Sequence, residues 1–138
     1  MPTRRYSGGK GTIVRIQIET IPHEAQRYST TGDWWWDPDD TLHLRVSTLP
    51  DWRYSALIAV HELVEALLCK AHGVSVEAAD AWDMGPGKEM DDPGDDPRAP
   101  YHREHDFALG IERLFAHELD VDWNAYGDAL DVLYDEQE

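Results

Sequence analysis

Apolar residues recur along the chain with two different periods, and each period predicts one kind of element. In residues 12–19 and 41–47 apolar and polar side chains alternate one by one, which is typical of strands with one buried face. Residues 56–70 form the longest apolar run, and there the apolar positions recur at helical spacing. We expect this central helix to bury the face made of Leu57, Val60, Val64, Leu67, Leu68 and Ala71.

Three more helices are predicted after the central one. Ser75 is suited to cap a short helix that runs to about Trp82, and Asp122 is suited to cap the last helix. Between them, residues 101–117 predict a long helix with a buried face of Ala108, Ile111, Leu114 and Phe115. Two strands before four helices indicate an α+β fold, in which a small antiparallel sheet packs on a helical bundle.

Three consecutive tryptophans, residues 34–36, precede a turn sequence at residues 38–40. Neighbouring residues of a strand point to opposite faces, so the three indoles cannot all enter one core. Two interpretations remain open at this point: a surface for a substrate or partner, and a small hairpin that is covered on both faces.

Composition narrows the classes of function. The 138 residues suit a single domain, with a flexible tail at residues 1–11 and a long acidic loop at residues 83–100. A formal charge of −16 argues against nucleic-acid binding and favours a metal ion or a basic protein partner. The single cysteine, Cys69, suits a reducing compartment, and we find no membrane-spanning run, so we expect a cytoplasmic protein.

His61, Glu62 and Glu65 interrupt the apolar central helix. His61 and Glu65 are four residues apart and therefore share one face, where they could grip a divalent metal ion. Glu62 points about 100° away around the helix axis, where it could act as a base on water at the metal. An ordinary solvated His–Glu pair is the alternative, but unpartnered ionisable groups are uncommon in so apolar a helix.

A catalytic zinc site needs a third protein ligand. The other dense group of ligand-type residues opens the helix at 101–117 and includes His102, Glu104 and His105. We favour His105 as the third ligand, with His102 and Glu104 as substitutes or supporting residues. The predicted cofactor is Zn²⁺ or another divalent metal.

The central segment resembles the small zincin-like metallopeptidases, with the ImmA/IrrE-type peptidases closest in size and layout. Residues 40–46 look like the strand that lines their cleft, and Val60–Leu68 looks like their metal helix. The family motif is H-E-x-x-H, which implies that His61 is a ligand and Glu62 the general base. Glu65 stands where the family has its second histidine, so the motif here is H-E-x-x-E. A carboxylate ligand makes the metal a weaker Lewis acid.

The chain also resembles uncharacterised phage-encoded proteins. The shared features are an H-E-x-x-E-A-L-L-C helix and a later G-D-D-P-x-A-P-Y segment, here residues 94–101. This resemblance implies no function. For a phage protein the predicted compartment would be the cytoplasm of the host.

Three hypotheses follow from these patterns. In the first, the chain is a zincin-like, metal-dependent hydrolase whose metal-activated water attacks a peptide or amide bond of a peptide or protein substrate. In the second, it is an HD-type phosphohydrolase that uses His61, His105, Asp106 and a later acid, Asp122 or Asp128. In the third, it is not an enzyme: the metal is structural, and the acidic surface binds a basic host protein.

Overall fold

Three strands precede four helices along the chain. In the computed structural model, which describes residues 14–135, these are β1 (Arg15–Ile21), β2 (Gly32–Trp36), β3 (Thr41–Ser47), α1 (Trp52–His72), α2 (Val76–Asp83), α3 (His102–Glu118) and α4 (Trp123–Asp135). Short 3₁₀ turns lie at His23–Ala25 and Pro93–Asp95. The α+β class is confirmed, whereas the tail predicted at residues 1–11 lies outside the described residues.

The sheet is mixed, so the expectation of an antiparallel sheet is wrong. The strand order is β1–β3–β2, with β2 antiparallel and β1 parallel to β3. The chain reverses direction twice, once in residues 22–31 and once in the turn after β2. Because β1 pairs with β3 and skips β2, the two reversals cancel and the strands run the same way.

The tryptophan segment is a strand of a hairpin. Trp34 faces the core and is 6% exposed, while Trp35 and Trp36 are half-buried. The turn that follows is closed by Asp37, whose Oδ1 accepts hydrogen bonds from the backbone N–H groups of Asp39 and Thr41 at 3.1 Å each. The turn lies where the sequence predicts one, at residues 38–40, and Asp37 closes it with Asx-type hydrogen bonds.

Capping residues lie at both ends of α1 and at the start of α2, where Ser75 is the cap that the sequence predicts. Asp51 accepts a hydrogen bond from Arg53 N at 2.9 Å, and Gly73 ends α1 in the left-handed conformation with φ 76°. Ser75 accepts from Ala78 N at 3.1 Å and starts α2. These bonds satisfy backbone groups that have no partner within the helix.

The predicted buried face of α1 is only partly right. Leu57 is fully buried, but Leu67 is 40% exposed and Ala71 is exposed as well. The buried positions of α1 are Ser55, Leu57, Ile58, His61, Glu65, Ala66 and Cys69.

Within residues 14–135, no helix combines the length and the apolar character that crossing a membrane requires.

The buried face of α1 differs from the predicted one because α1 packs against two neighbours. On one side, Ala66 and Cys69 pack with Trp34, Leu42 and Leu44 of the sheet. On the other side α1 packs against α3, and there its buried positions include His61 and Glu65. Polar side chains are buried there because they find partners across the helix pair.

Helix α3 shows the same pattern. Ala108 is buried as predicted, but Leu114 is 69% exposed. The buried face of α3 instead includes Glu104, His105 and Glu112. The two long helices therefore contact each other through imidazoles and carboxylates as well as through apolar groups.

A second apolar cluster supports the other end of α1. It contains Val46, Leu49, Leu57, Ile58, Ala116, Val121 and Tyr126. Strand β3, α1, α3 and α4 all contribute to it. The paired polar residues of α1 and α3 thus have a packed apolar cluster on either side.

Leu57→Ala should lower the free energy of unfolding by about 2–5 kcal/mol, because Leu57 is fully buried and its removal leaves a cavity. Urea unfolding followed by circular dichroism measures this. Leu114→Ala is the matched control, since Leu114 is largely exposed, and its effect should stay within about 0.5 kcal/mol. Equal losses in both variants would contradict the orientation of the two helices.

Candidate metal centre

Three side chains from two helices converge on one point. His61 and Glu65 lie one turn apart on α1, and His105 lies in the first turn of α3. Oε2 of Glu65 is 3.1 Å from Nε2 of His61 and 3.0 Å from Nδ1 of His105, and the two nitrogens are 3.2 Å apart. All three residues are buried.

These distances fit a small metal ion. A tetrahedral zinc ion with bond lengths of about 2.0–2.1 Å holds its ligand atoms about 3.3 Å apart. The three atoms of the cluster form a nearly equilateral triangle with sides of 3.0–3.2 Å. Only a few tenths of an ångström of expansion would be needed to coordinate the ion.

The second nitrogen of each histidine is bonded to a further carboxylate. Nδ1 of His61 lies 2.7 Å from Oε1 of Glu112, and Nε2 of His105 lies 3.2 Å from Oδ2 of Asp92. When these outer nitrogens donate, the inner nitrogens are left with lone pairs directed at the common point. Carboxylates that orient metal-binding histidines in this way are a regular feature of metal sites.

Trp34 fixes the third ligand. Its Nε1 donates to Oε1 of Glu65 at 3.0 Å, and the indole is buried in the apolar cluster between α1 and the sheet. This bond leaves Oε2 as the oxygen that faces both histidines. Strand β2 therefore sets the orientation of a side chain on α1.

The local charges favour a cation. Glu65, Glu112 and Asp92 supply three carboxylates around the imidazoles of His61 and His105. Burial opposes charge on the imidazoles, but the hydrogen bonds of Glu112 and Glu65 to His61, and of Asp92 and Glu65 to His105, raise their pKa values to about 11 and about 10. Burial also opposes charge on Glu65, yet the hydrogen bonds from His105 and His61 lower its pKa to about 2. The three carboxylates therefore favour positive charge at this point, whether protons on the imidazoles or a bound cation carry it.

Glu62 lies beside this cluster with its carboxylate close to the start of β2. A Cβ atom on Gly32 would fall 2.6 Å from both Cγ and Oε1 of Glu62, so the absence of a side chain at position 32 makes this approach possible. Burial, and then the charge of Glu65, raise the pKa of Glu62 well above its ordinary value. Within residues 14–135 the carboxylate of Glu62 makes no hydrogen bond of its own.

The loop between α2 and α3 closes over His105. A Cβ on Gly94 would lie 2.6 Å from Cγ and Nδ1 of the His105 ring, so the backbone of the loop touches the edge that faces the cluster. Trp82 Nε1 donates to the carbonyl of Pro93 at 2.9 Å, and His102 Nδ1 donates to that of Gly94 at 2.9 Å. Asp92, the orienting carboxylate of His105, comes from the same loop.

Two of the residues considered as third ligand have other partners. The side chain of His102 is bonded to the loop, and Oε2 of Glu104 is 2.9 Å from Nδ1 of His72. Of the predicted ligands, the structure brings together His61, Glu65 and His105 and leaves His102 and Glu104 outside the group.

Sequence reasoning missed Glu112, Asp92 and Trp34 as neighbours of the cluster. Glu112 carried a signal, because it lies seven residues after His105 and therefore shares its helix face. No such signal in the sequence pointed to Asp92 or Trp34, since only the loop conformation and the sheet bring them near the cluster. The resemblance assigned the cleft strand to residues 40–46, but β3 is the central strand, and it is β2 that contacts Glu62 and Glu65.

Glu112→Ala should lower the affinity for a divalent transition metal about 10–100-fold, because His61 loses the carboxylate that orients it. Glu112→Gln keeps an acceptor oxygen for Nδ1 of His61 and should recover part of the loss. Competition titration with a zinc chelator measures both, with Glu118→Ala, an exposed residue at the end of α3, as control. Equal affinity in Glu112→Ala and Glu118→Ala, with near-ultraviolet circular dichroism unchanged, would contradict an orienting role.

Comparisons with protein-family models, with curated protein sequences and with solved structures found no match to this chain. The likeness of residues 60–68 to a zincin helix therefore stays a resemblance of sequence. A function has to be argued from the geometry of the cluster itself.

Proposed function

We propose that the chain is a zinc-dependent hydrolase with a zincin-like arrangement, acting on a peptide or amide bond. The observation that supports this is the convergence of Nε2 of His61, Oε2 of Glu65 and Nδ1 of His105, with both outer imidazole nitrogens already bonded to carboxylates. A chance grouping of ionisable residues would have no reason to orient both rings in this way.

The donor set favours zinc. Two imidazole nitrogens and one carboxylate oxygen suit a borderline ion such as Zn²⁺, whereas Ca²⁺ and Mg²⁺ prefer all-oxygen sites. Trp34 supports this choice, since its bond to Oε1 of Glu65 holds the carboxylate in a single-oxygen mode. Three protein ligands also leave a fourth position, as in catalytic rather than structural zinc sites.

Glu62 is the base in this proposal. Bound zinc would supply a Lewis acid that polarises a substrate carbonyl and makes water easier to deprotonate. Glu62 would accept the proton from the attacking water and pass it to the leaving nitrogen. Burial, and then the charge of Glu65, raise its pKa and so make its carboxylate a stronger base than an exposed one, which is the direction a general base requires.

A structural metal is the second candidate, and one observation favours it. His61, Glu65 and His105 are all buried, and the loop at Gly94 lies against the His105 ring. In this form zinc would clip α1 to α3 without taking part in chemistry. The hydrolase proposal requires that the loop backbone at Gly94 moves away from the cluster to admit a substrate, while Asp92 keeps its bond to His105.

The HD-type hypothesis gains no support from these positions. It requires an aspartate directly after a histidine ligand, but Asp106 is exposed and does not belong to the cluster. Asp122 accepts a hydrogen bond from Ala125 N at the start of α4, and Asp128 is exposed. A basic protein partner, suggested by the net charge alone, stays a prediction.

Zinc should bind the wild-type chain with one ion per chain and raise its melting temperature. At a free zinc concentration about 100 times the dissociation constant, the gain in unfolding free energy should be about 2.7 kcal/mol. His61→Ala should lose both effects, while His117→Ala, an exposed histidine of α3, should keep them. Elemental analysis and differential scanning calorimetry measure these results. Full zinc content in His61→Ala would rule out the ligand set.

Glu62→Gln should reduce hydrolysis of a quenched-fluorescence peptide library about 10²–10⁴-fold, with its zinc content unchanged, because the amide cannot take a proton from water. Gly32→Ala should also reduce the rate, since the added methyl group displaces the Glu62 carboxylate. Glu118→Gln is the control for removal of a negative charge. A wild-type chain that binds zinc and cleaves no member of the library would favour the structural clip.

A further inference from the structure

Strand β1 is an edge strand that only β3 pairs within residues 14–135. Its six residues from Arg15 to Thr20 are all exposed, unlike those of β2 and β3. The far edge of such a strand presents backbone N–H and C=O groups to any chain that can pair with it.

The face of β1 that points toward the helices is apolar, and no described element between residues 14 and 135 covers it. Ile16 pairs in register with Leu42 and Ile18 with Leu44, so these isoleucines share the face of the sheet that forms the core. Helix α1 packs on β2 and β3, and Ile16 and Ile18 remain 46% and 49% exposed. The sheet therefore extends beyond the helices that cover it.

The order of side chains along β1 is complementary to its own reverse. If two copies of β1 run antiparallel with Gln17 facing Gln17, then Arg15 of each copy faces Glu19 of the other. On the opposite face Ile16 meets Ile18 in the same register. Cross-strand pairs of opposite charge and of β-branched residues are the pairs that stabilise antiparallel strands.

The charge of the chain as a whole makes this strand a favourable place for self-association. A net charge of −16 opposes contact between two copies over most of the surface. Between positions 14 and 20, however, the only charged residues are Arg15 and Glu19, so the strand is neutral. Among residues 14–135, the ion-pair partner of Glu19 is Arg45, whose Nε lies 3.9 Å from Oε1 of Glu19.

We propose that β1 pairs with β1 of a second copy of this chain, antiparallel and centred on Gln17, to form a continuous six-stranded sheet. The main-chain hydrogen bonds of this pairing form along the edge of β1 that faces away from β3. It places the isoleucines of the two copies side by side, and it is independent of the metal site.

Position-specific crosslinking tests the register. In antiparallel pairs, facing Cα atoms are about 4.5–5.5 Å apart, which lies within the range of a disulfide. Gln17→Cys should therefore form a covalent dimer on oxidation, and the native Cys69 is buried and does not interfere. Thr20→Cys is the control, because the two copies of position 20 would lie about 20 Å apart in this register. Equal crosslinking at both positions, or none at position 17, overturns the proposal.

Charge reversal tests the pairing without crosslinking. Arg15→Glu and Glu19→Arg should each raise the dimer dissociation constant about tenfold in sedimentation equilibrium, because each places like charges opposite one another twice. An equimolar mixture of the two variants should recover dimerisation, since every facing pair is then opposite in charge. If a variant failed to dimerise because it did not fold, mixing could not restore dimerisation, so recovery on mixing shows that the charge pairs are responsible.

Other occupants of this edge give a different result. If residues 1–13 of the same chain or an extended segment of another protein cover β1, the purified wild-type chain sediments as a monomer at high micromolar concentration. A monomer under those conditions, or a dimer that neither charge reversal weakens, overturns the proposal.

Discussion

One carboxylate oxygen between two imidazoles determines how the long helices meet. Oε2 of Glu65 lies within 3.1 Å of both His61 and His105, and it joins α1 to α3 where all three side chains are buried. Burying ionisable groups is costly unless each is paired, and removing one member of a buried pair typically costs about 3–5 kcal/mol. The helices can bury these groups only in the orientation that brings all three together.

The surrounding structure holds this contact from several directions. Trp34 bonds Glu65 from the sheet, Asp92 bonds His105 from the loop, and Glu112 bonds His61 from the next turns of α3. Glu112 also accepts a hydrogen bond of 2.6 Å from Tyr126, a fully buried residue of α4. The sheet, the loop, α3 and α4 therefore each have a direct link to the cluster, and these links position its three side chains.

Support from several elements is more useful for binding a metal ion than for holding an ion pair alone. A buried ion pair adds little to stability compared with apolar packing of the same volume. A site that must present two imidazoles and one carboxylate at fixed distances gains more from such support, because ligands held in place need not be ordered on binding. The proposed hydrolase and the proposed structural clip would use the same three ligands, and they differ in whether Glu62 acts as a base and whether the loop at Gly94 opens.

The sequence by itself predicted two of the three strands, the four helices and the two residues that start the site. Alternation predicted the strand at 41–47, the capping residue Ser75 predicted the start of α2, and the i,i+4 spacing placed His61 and Glu65 on one face. These features are local, because they depend on backbone hydrogen bonds and on neighbours within one turn.

Only the tertiary structure decided which face of each helix is buried, and it did so against the apolar pattern at Leu67 and Leu114. Hydrophobic periodicity predicts a buried face as long as polar groups have no partners inside. Here the partners on α3 lie 40 and 51 residues away from their partners on α1, and hydrophobic periodicity does not show which helix faces meet. The parallel pairing of β1 and the approach of Asp92 and Trp34 follow from the same kind of long-range contact.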